Sequence, residues 1–211
     1  MKILSLLVLC FLISAVYAVL GVDISDYTSS DAFHCMSQNG YSFGVVRGYC
    51  SFGGVDPNGV DNIENSIDGG MNHTDVYLFP CFPCGDPAGQ VDALVDYIAG
   101  TGYGMVWLDI ETWSWSSDLG TNQQFILALA NELVNQGQSV GVYTNYYNWQ
   151  SIVGLGWTGV SQYPLWYAHY DDWPSFGDFT PFGGWNEPSI KQFNGDVTVC
   201  GVNVDQDYYP L

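Results

Sequence analysis

Two carboxylates, Asp109 and Glu111, close the apolar run Met105-Val106-Trp107-Leu108, with Ile110 between them. The run reads as a strand, and strand side chains alternate between faces. Val106, Leu108 and Ile110 then share one face, and Met105, Trp107, Asp109 and Glu111 share the other. At that spacing the two carboxylates lie about 7 Å apart. Holding two acids so close costs free energy unless a cleft, a partner or a reaction requires them. Cleavage of a glycosidic bond is such a reaction, because like-charge repulsion keeps a proton on one acid while its neighbour stays ionised. Asp-x-Glu also occurs where a strand simply runs out into a solvated loop, so the rest of the chain must decide.

The elements that would position this pair follow from periodicity and caps. A first strand over 19–25 contains Asp23. Thr28-Ser29-Ser30-Asp31 caps a helix to about residue 38, closed by Asn39-Gly40. A strand over 43–49 carries Arg47, and a glycine-rich loop over 51–59 leads to a helix over 60–68. Next come a strand over 75–80 and a helix that Pro87 opens, running to about 99. The carboxylate strand is the fourth. An aromatic loop over 112–120 precedes a helix over 122–135, apolar at Phe125, Ile126, Leu129, Ala130 and Leu133. Strands at 140–144, 165–168, 190–193 and 201–205 complete the set, with a short helix near 149–153 and an aperiodic stretch over 170–188. Strand and helix alternate five times, and then strands follow with little helix between them. The fold class is α/β with a mostly parallel sheet: an irregular (β/α)-like barrel of about eight strands whose helical layer weakens in the second half. An open doubly wound sheet is the rival. The first strand is not followed by Gly-x-Gly-x-x-Gly, and the sequence has neither a phosphate-binding loop nor a Gly-x-Ser-x-Gly elbow.

In a closed barrel of this kind, catalytic groups gather at the C-terminal ends of the strands. The first strand ends in Asp23, the fourth in Asp109 and Glu111, and the eighth in Asp205, so three strands bring four acids to one rim. Arg47 sits at the same rim and reads as their charge partner. Tyr77, Phe79, Trp113, Tyr143, Trp166 and Tyr170 are candidates to stack on sugar rings or to fix their hydroxyls. His169 has no orienting partner in sequence and reads as a binding or core residue. Four acids could hold calcium or magnesium, but no EF-hand loop is present and the aromatic surroundings favour sugar. No metal and no cofactor are expected.

Residues 1–18 combine Lys2, an apolar run and a Val16-Tyr17-Ala18 cleavage signature, the pattern of a secretory signal peptide. The apolar run is too short to be a comfortable membrane span, which leaves 19–211 as a single catalytic domain. The chain carries 22 acidic and 3 basic residues, a net charge of −19. Such a surface repels nucleic acid and anionic membranes and suits an acidic compartment, so the expected location is outside the cell or in the lumen of a phagosome or lysosome. Beyond Cys10, five cysteines remain: Cys35, Cys50, Cys81, Cys84 and Cys200. Five is odd, so one stays unpaired within the chain. Cys35 and Cys200 both fall at the bottom of the barrel and would tie its terminal strands together. Cys50, Cys81 and Cys84 share the top, where one pair and one free thiol are expected. Asn72-His73-Thr74 is a glycosylation sequon in a turn-like stretch. Nothing calls for an oligomer, and a monomer is expected.

Taken together, Gly21-Val22-Asp23-Ile24-Ser25, Phe79-Pro80-Cys81, Trp107-Leu108-Asp109-Ile110-Glu111, Gly141-Val142-Tyr143-Thr144-Asn145, Pro164-Leu165-Trp166-Tyr167-Ala168-His169-Tyr170, Lys191-Gln192-Phe193 and Val204-Asp205 resemble the blocks of glycoside hydrolase family 25, the Chalaropsis-type lysozymes. The resemblance spans 19–211 and is greatest to the compact forms of nematodes, amoebae and other bacterivorous eukaryotes. It implies a flattened (β/α)-like barrel and hydrolysis of the β-1,4 bond between N-acetylmuramic acid and N-acetylglucosamine in the glycan strands of bacterial peptidoglycan. Carried onto this sequence, it makes Glu111 the general acid. Asp109 becomes the group that holds the substrate acetamide, Asp23 and Asp205 the rest of an acidic floor, and Gln192 a substrate-binding residue. Arg47 stands where the family usually has lysine. The rival readings are a lysozyme-like lectin without turnover and a chitin-directed hydrolase.

Overall fold

The computed structural model describes residues 18–211. The signal peptide expected over 1–18 therefore lies outside the described residues, apart from Ala18, which opens the first strand. The strands are β1 (Ala18–Ile24), β2 (Tyr41–Cys50), β3 (Gly54–Val55), β4 (His73–Leu78), β5 (Val106–Asp109), β6 (Val140–Thr144), β7 (Leu165–Ala168), β8 (Ile190–Val199) and β9 (Val202–Pro210). The helices are α1 (Ser30–Gln38), α2 (Gly59–Asp68), α3 (Pro87–Tyr97), α4 (Leu119–Asn135) and α5 (Tyr146–Ile152).

Among these residues, eight strands close a ring in the order β1-β9-β8-β7-β6-β5-β4-β2, with β2 returning to β1, and the two-residue β3 lies on the flank of β2. From β1 through β8 the ring pairings are parallel, as expected for strand–helix units. The last strand differs from the sequence expectation. It runs 202–210 instead of 201–205, forms a hairpin with a long β8, and is antiparallel to both β8 and β1. Val199-Cys200-Gly201 makes the tight reversal, with Cys200 and Gly201 both at positive φ.

The strand alternation sorts side chains into two cores. Val106, Leu108 and Ile110 join the large core between sheet and helices, whereas Trp107 joins Phe43, Val45, Tyr143, Trp166 and Ile190 inside the barrel. The interior is crowded: a Cβ at Gly141 would stand 2.2 Å from the Trp107 ring, so that strand position must lack a side chain. Helix starts follow their caps, Ser29 for α1 and Asp118 for α4. Helix α4 begins at Leu119 and not at Asn122, because Asp118 accepts from the Thr121 N–H inside what read as loop. Cys35–Cys200 ties α1 to the β8–β9 turn, and Cys81–Cys84 closes a 3-10 turn after β4, leaving Cys50 as the free thiol among the described residues.

The outer layer fails after β6, as anticipated. Its place is taken by the short α5, by aromatic packing in which Trp149 stacks on Trp157 at 5.3 Å and meets Trp185 at 4.9 Å, and by the loop 169–180. That loop is pinned by Lys191, which is fully buried and donates to Asp171 (2.8 Å), Asp178 (2.8 Å) and the Ser175 carbonyl (3.1 Å).

Candidate active site

Three strands carry acids to one end of the barrel: β1, β5 and β9. Asp23 and Asp205 are directly opposed across β1 and β9. Asp205 reaches the rim because β9 is antiparallel and enters from that end, not because it ends a strand. Asp109 is the last residue of β5, and Glu111 lies two residues beyond it. The segment is held on both sides: Ile110 N–H donates to the Tyr143 carbonyl (2.8 Å), and Trp115 Nε1 donates to the Glu111 carbonyl (2.8 Å). A pocket of about 120 Å³ is lined by Asp23, Asp109, Glu111 and Asp205 together with Tyr77, Tyr143, Trp166, Tyr170 and Gln192. A larger cleft of about 550 Å³ adjoins it and shares Glu111, Tyr143 and Tyr170.

Gln192 is the hub. Its amide Nε2 donates to Asp23 (2.7 Å) and Asp205 (3.1 Å), and its Oε1 accepts from the hydroxyls of Tyr143 (2.6 Å) and Tyr170 (2.8 Å). These bonds fix the orientation of the amide, since only the NH2 end can serve two carboxylates. Asp205 also accepts from the Asp196 N–H at 2.7 Å.

Another acid completes the floor and was missed in the sequence: Asp207, fully buried on the same inward face of β9. Its Oδ1 accepts from Trp166 Nε1 (2.8 Å), so Trp166 supports the floor with its indole N–H and is itself almost wholly buried. Asp207 Oδ2 is buried without a donor and faces the Asp23 carboxyl, an arrangement satisfied when the two share a proton. The alternation Asp205-x-Asp207-x-Tyr209 was the available signal, obscured because the strand was ended at 205.

Burial, followed by the charge of Asp205, pushes the Asp23 carboxyl up to about 8. Burial together with Glu111 and Asp23 drives Asp109 well above the ordinary range. Asp207 is raised well above it by burial and Asp23, and Glu111 is raised by burial and Asp205. The floor therefore keeps protons at a pH where isolated carboxylates have lost theirs. Asp109 Oδ1 is the second buried side-chain oxygen with no partner among the described residues.

Arg47 does not pair with this floor. Its Nε binds Asp56 at 2.6 Å and its Nη2 donates to the Ser25 carbonyl at 3.2 Å, because the loop after β2 folds Asp56 back beside it. Phe79 and Trp113 pack edge to face at 6.3 Å near the same end of the barrel but line neither cavity. His169 does have an orienting partner: its Nδ1 bonds Asp178, which also accepts from Tyr167 at 3.0 Å. His169, Asp171 and Asp178 are close enough to suggest a metal cluster. The Lys191 ammonium already bonds one oxygen of each carboxylate. Asn72, the expected glycosylation site, is exposed, with its side-chain amide on Ser42 Oγ at 2.9 Å.

Comparison with known proteins adds relatives to this geometry. The profile of the family described as Lysozyme-like protein 1 matches residues 14–193. "Probable GH family 25 lysozyme 2" of Dictyostelium discoideum is 44% identical, with the match covering 100% of both chains. "Lysozyme-like protein 5" of Caenorhabditis elegans is 42% identical over 98% of this chain and 97% of its own. The family GH25 lysozyme structure from Aspergillus fumigatus superposes with a TM-score of 0.75 at 20% identity, covering 92% of this chain and 94% of its own. A muramidase from Trichobolus zukalii gives a TM-score of 0.74 at 23% identity, covering 90% and 93%. At such identities the two structures show a shared fold.

Proposed function

This chain belongs to the glycoside hydrolase family 25 lysozymes, and from that footing we propose that it cleaves the β-1,4 bond between N-acetylmuramic acid and N-acetylglucosamine in peptidoglycan, with retention of configuration. The observation that carries the chemistry is the unpartnered, buried Asp109 Oδ1 two residues before Glu111, whose carboxyl burial and Asp205 push upward. Glu111 donates its proton to the glycosidic oxygen as the C1–O bond breaks. Asp109 Oδ1 accepts the acetamido N–H of the same sugar and turns the acetamide oxygen toward C1, where it closes a ring and takes up the developing charge. Water, giving a proton to the Glu111 carboxylate, then opens that ring. Asp23, Asp205 and Asp207, tied through Gln192 and Trp166, form a fixed polar floor beside the reacting centre.

Glu111→Gln is isosteric and removes the donated proton. Turbidity clearing of bacterial walls is expected to vanish in this variant while circular dichroism stays that of the wild type. Wild-type clearing by the variant would overturn the assignment. Protein and wall are both anionic at neutral pH, so encounter is repulsive there. Lysis is therefore expected to be greatest under acidic conditions, and a maximum near pH 8 would contradict this. The reading extends to location: the leader-like pattern of residues 1–18, two intrachain disulfides and an exposed sequon at Asn72 support a secreted or phagosomal protein working as a single catalytic unit over 19–211. Intact-mass measurement on secreted material tests both the cleavage and the glycan.

A further inference from the structure

The larger cleft begins at Glu111 and leads away from the acidic floor. It contains none of Asp23, Asp109 or Asp205 and is walled instead by tyrosines, with His169 and Asp178 on the loop pinned by Lys191. A general acid stands between the sugar being attacked and the group that departs. Asp109 marks the side of the attacked sugar, so the cleft on the other side of Glu111 receives the leaving part of the strand. Its volume, about 550 Å³, is ample for carbohydrate rather than for a single water-sized group. Tyrosine faces suit sugar rings.

One polar side chain here is built with more care than a surface residue needs. His169 gives its Nδ1 to Asp178, and Asp178 is itself held by Lys191 Nζ and the Tyr167 hydroxyl. Burial works against ionisation of Asp178, but these hydrogen bonds outweigh it and hold its pKa at about 2. The carboxylate fixes the imidazole ring and its tautomer. Nε2 makes no hydrogen bond within the described residues, and the ring is half-exposed on the cleft wall. Arg47 and Lys191, the arginine and lysine among the described residues, are tied to Asp56 and to Asp171 and Asp178.

We propose that His169, oriented by Asp178, is a binding residue for the leaving half of the glycan, its Nε2 hydrogen-bonding a hydroxyl or acetamido group of an N-acetylhexosamine beyond the scissile bond. This deepens the lysozyme reading and rests on it. The test compares two substrates with the same glycon: a soluble wall hexasaccharide, and an aryl glycoside whose nitrophenol leaving group is too short to reach His169. With His169→Ala, KM for the hexasaccharide should rise about tenfold, the worth of one net hydrogen bond, with kcat within about twofold. The loss should be confined to that substrate, and His169→Gln, which keeps an acceptor, should restore part of it. Unchanged hexasaccharide kinetics, or an equal loss on both substrates, would overturn the proposal while leaving the lysozyme reading intact. Failure of the wild type to turn over either substrate would sink both.

Discussion

From β1 to α4 each parallel strand is backed by a helix whose apolar stripe lies on the sheet: Phe33 and Met36 from α1, Ile63 from α2, Val91 and Leu94 from α3, and Ile126, Leu129 and Leu133 from α4. From β6 onward the same side of the sheet is covered differently. Trp149, Trp157, Trp185, Phe179 and Phe182 pack ring on ring, and the buried Lys191 anchors a loop through two aspartates and a carbonyl. Helical packing needs long periodic stretches. Aromatic clusters and a charged pin reach comparable closure with short irregular chain, and they leave loop backbone free to line a cleft. The acidic end of the barrel straddles the two regimes: Asp23, Asp109 and Glu111 come from the helix-backed half, while Gln192, Asp205 and Asp207 come from the other.

The sharpest way to break this contrast is Lys191→Met. It removes the fully buried ammonium that ties Asp171, Asp178 and the Ser175 carbonyl together, and a loss of about 3 kcal/mol or more is expected by denaturant titration. Because the loop carries His169 and Tyr170, lysis should fall further than stability alone explains. Leu129→Ala, in the helix-backed half, should cost about 3 kcal/mol through transfer and cavity terms. Its folded fraction should retain wild-type kinetics, since no residue of α4 reaches the site.

The two regions also differ in their pH response. Asp178 is held at about 2, below its ordinary 3.8, so its contribution is present above about pH 4 and is lost as pH falls toward 2. Asp23 is raised from 3.8 to about 8, so its contribution is complete below pH 3.8 and is lost as pH rises through 8. The melting temperature of the wild type should accordingly climb on acidification from about pH 8 to 5 and fall again below about pH 3. Asp23→Asn should flatten the first slope only, and the Leu129→Ala penalty should be nearly independent of pH. The smallest effect is at a cap. Ser29 accepts from the Ala32 N–H, and Ser29→Ala should cost about 1 kcal/mol in thermal unfolding with no change in lysis.

Much of this was legible in the residues. The two-residue period of Val106 to Glu111 separated core face from interior face, and the caps at Ser29 and Asn39-Gly40 bounded α1. Asp23, Asp109, Glu111 and Asp205 meet in one pocket, as their strand positions implied. The signals failed where side chains from distant segments set the outcome. Arg47 looked like a partner of the floor until the loop brought Asp56 to it. His169 looked unsupported because Asp178 lies in a stretch with no periodicity to place it. Asp207 was hidden by a strand boundary that depends on pairing with both β1 and β8.

The sequence by itself determined the alternating strand and helix pattern, the acids that face inward and the odd cysteine, because these rest on local backbone periodicity, side-chain type and parity. Only the tertiary structure decided the antiparallel closure by β9, the burial of Asp207 within the acidic floor, and the choice of partners for Arg47, Lys191 and His169. Burial and pairing depend on what the rest of the chain brings within a few ångströms, and no local spacing carries that information.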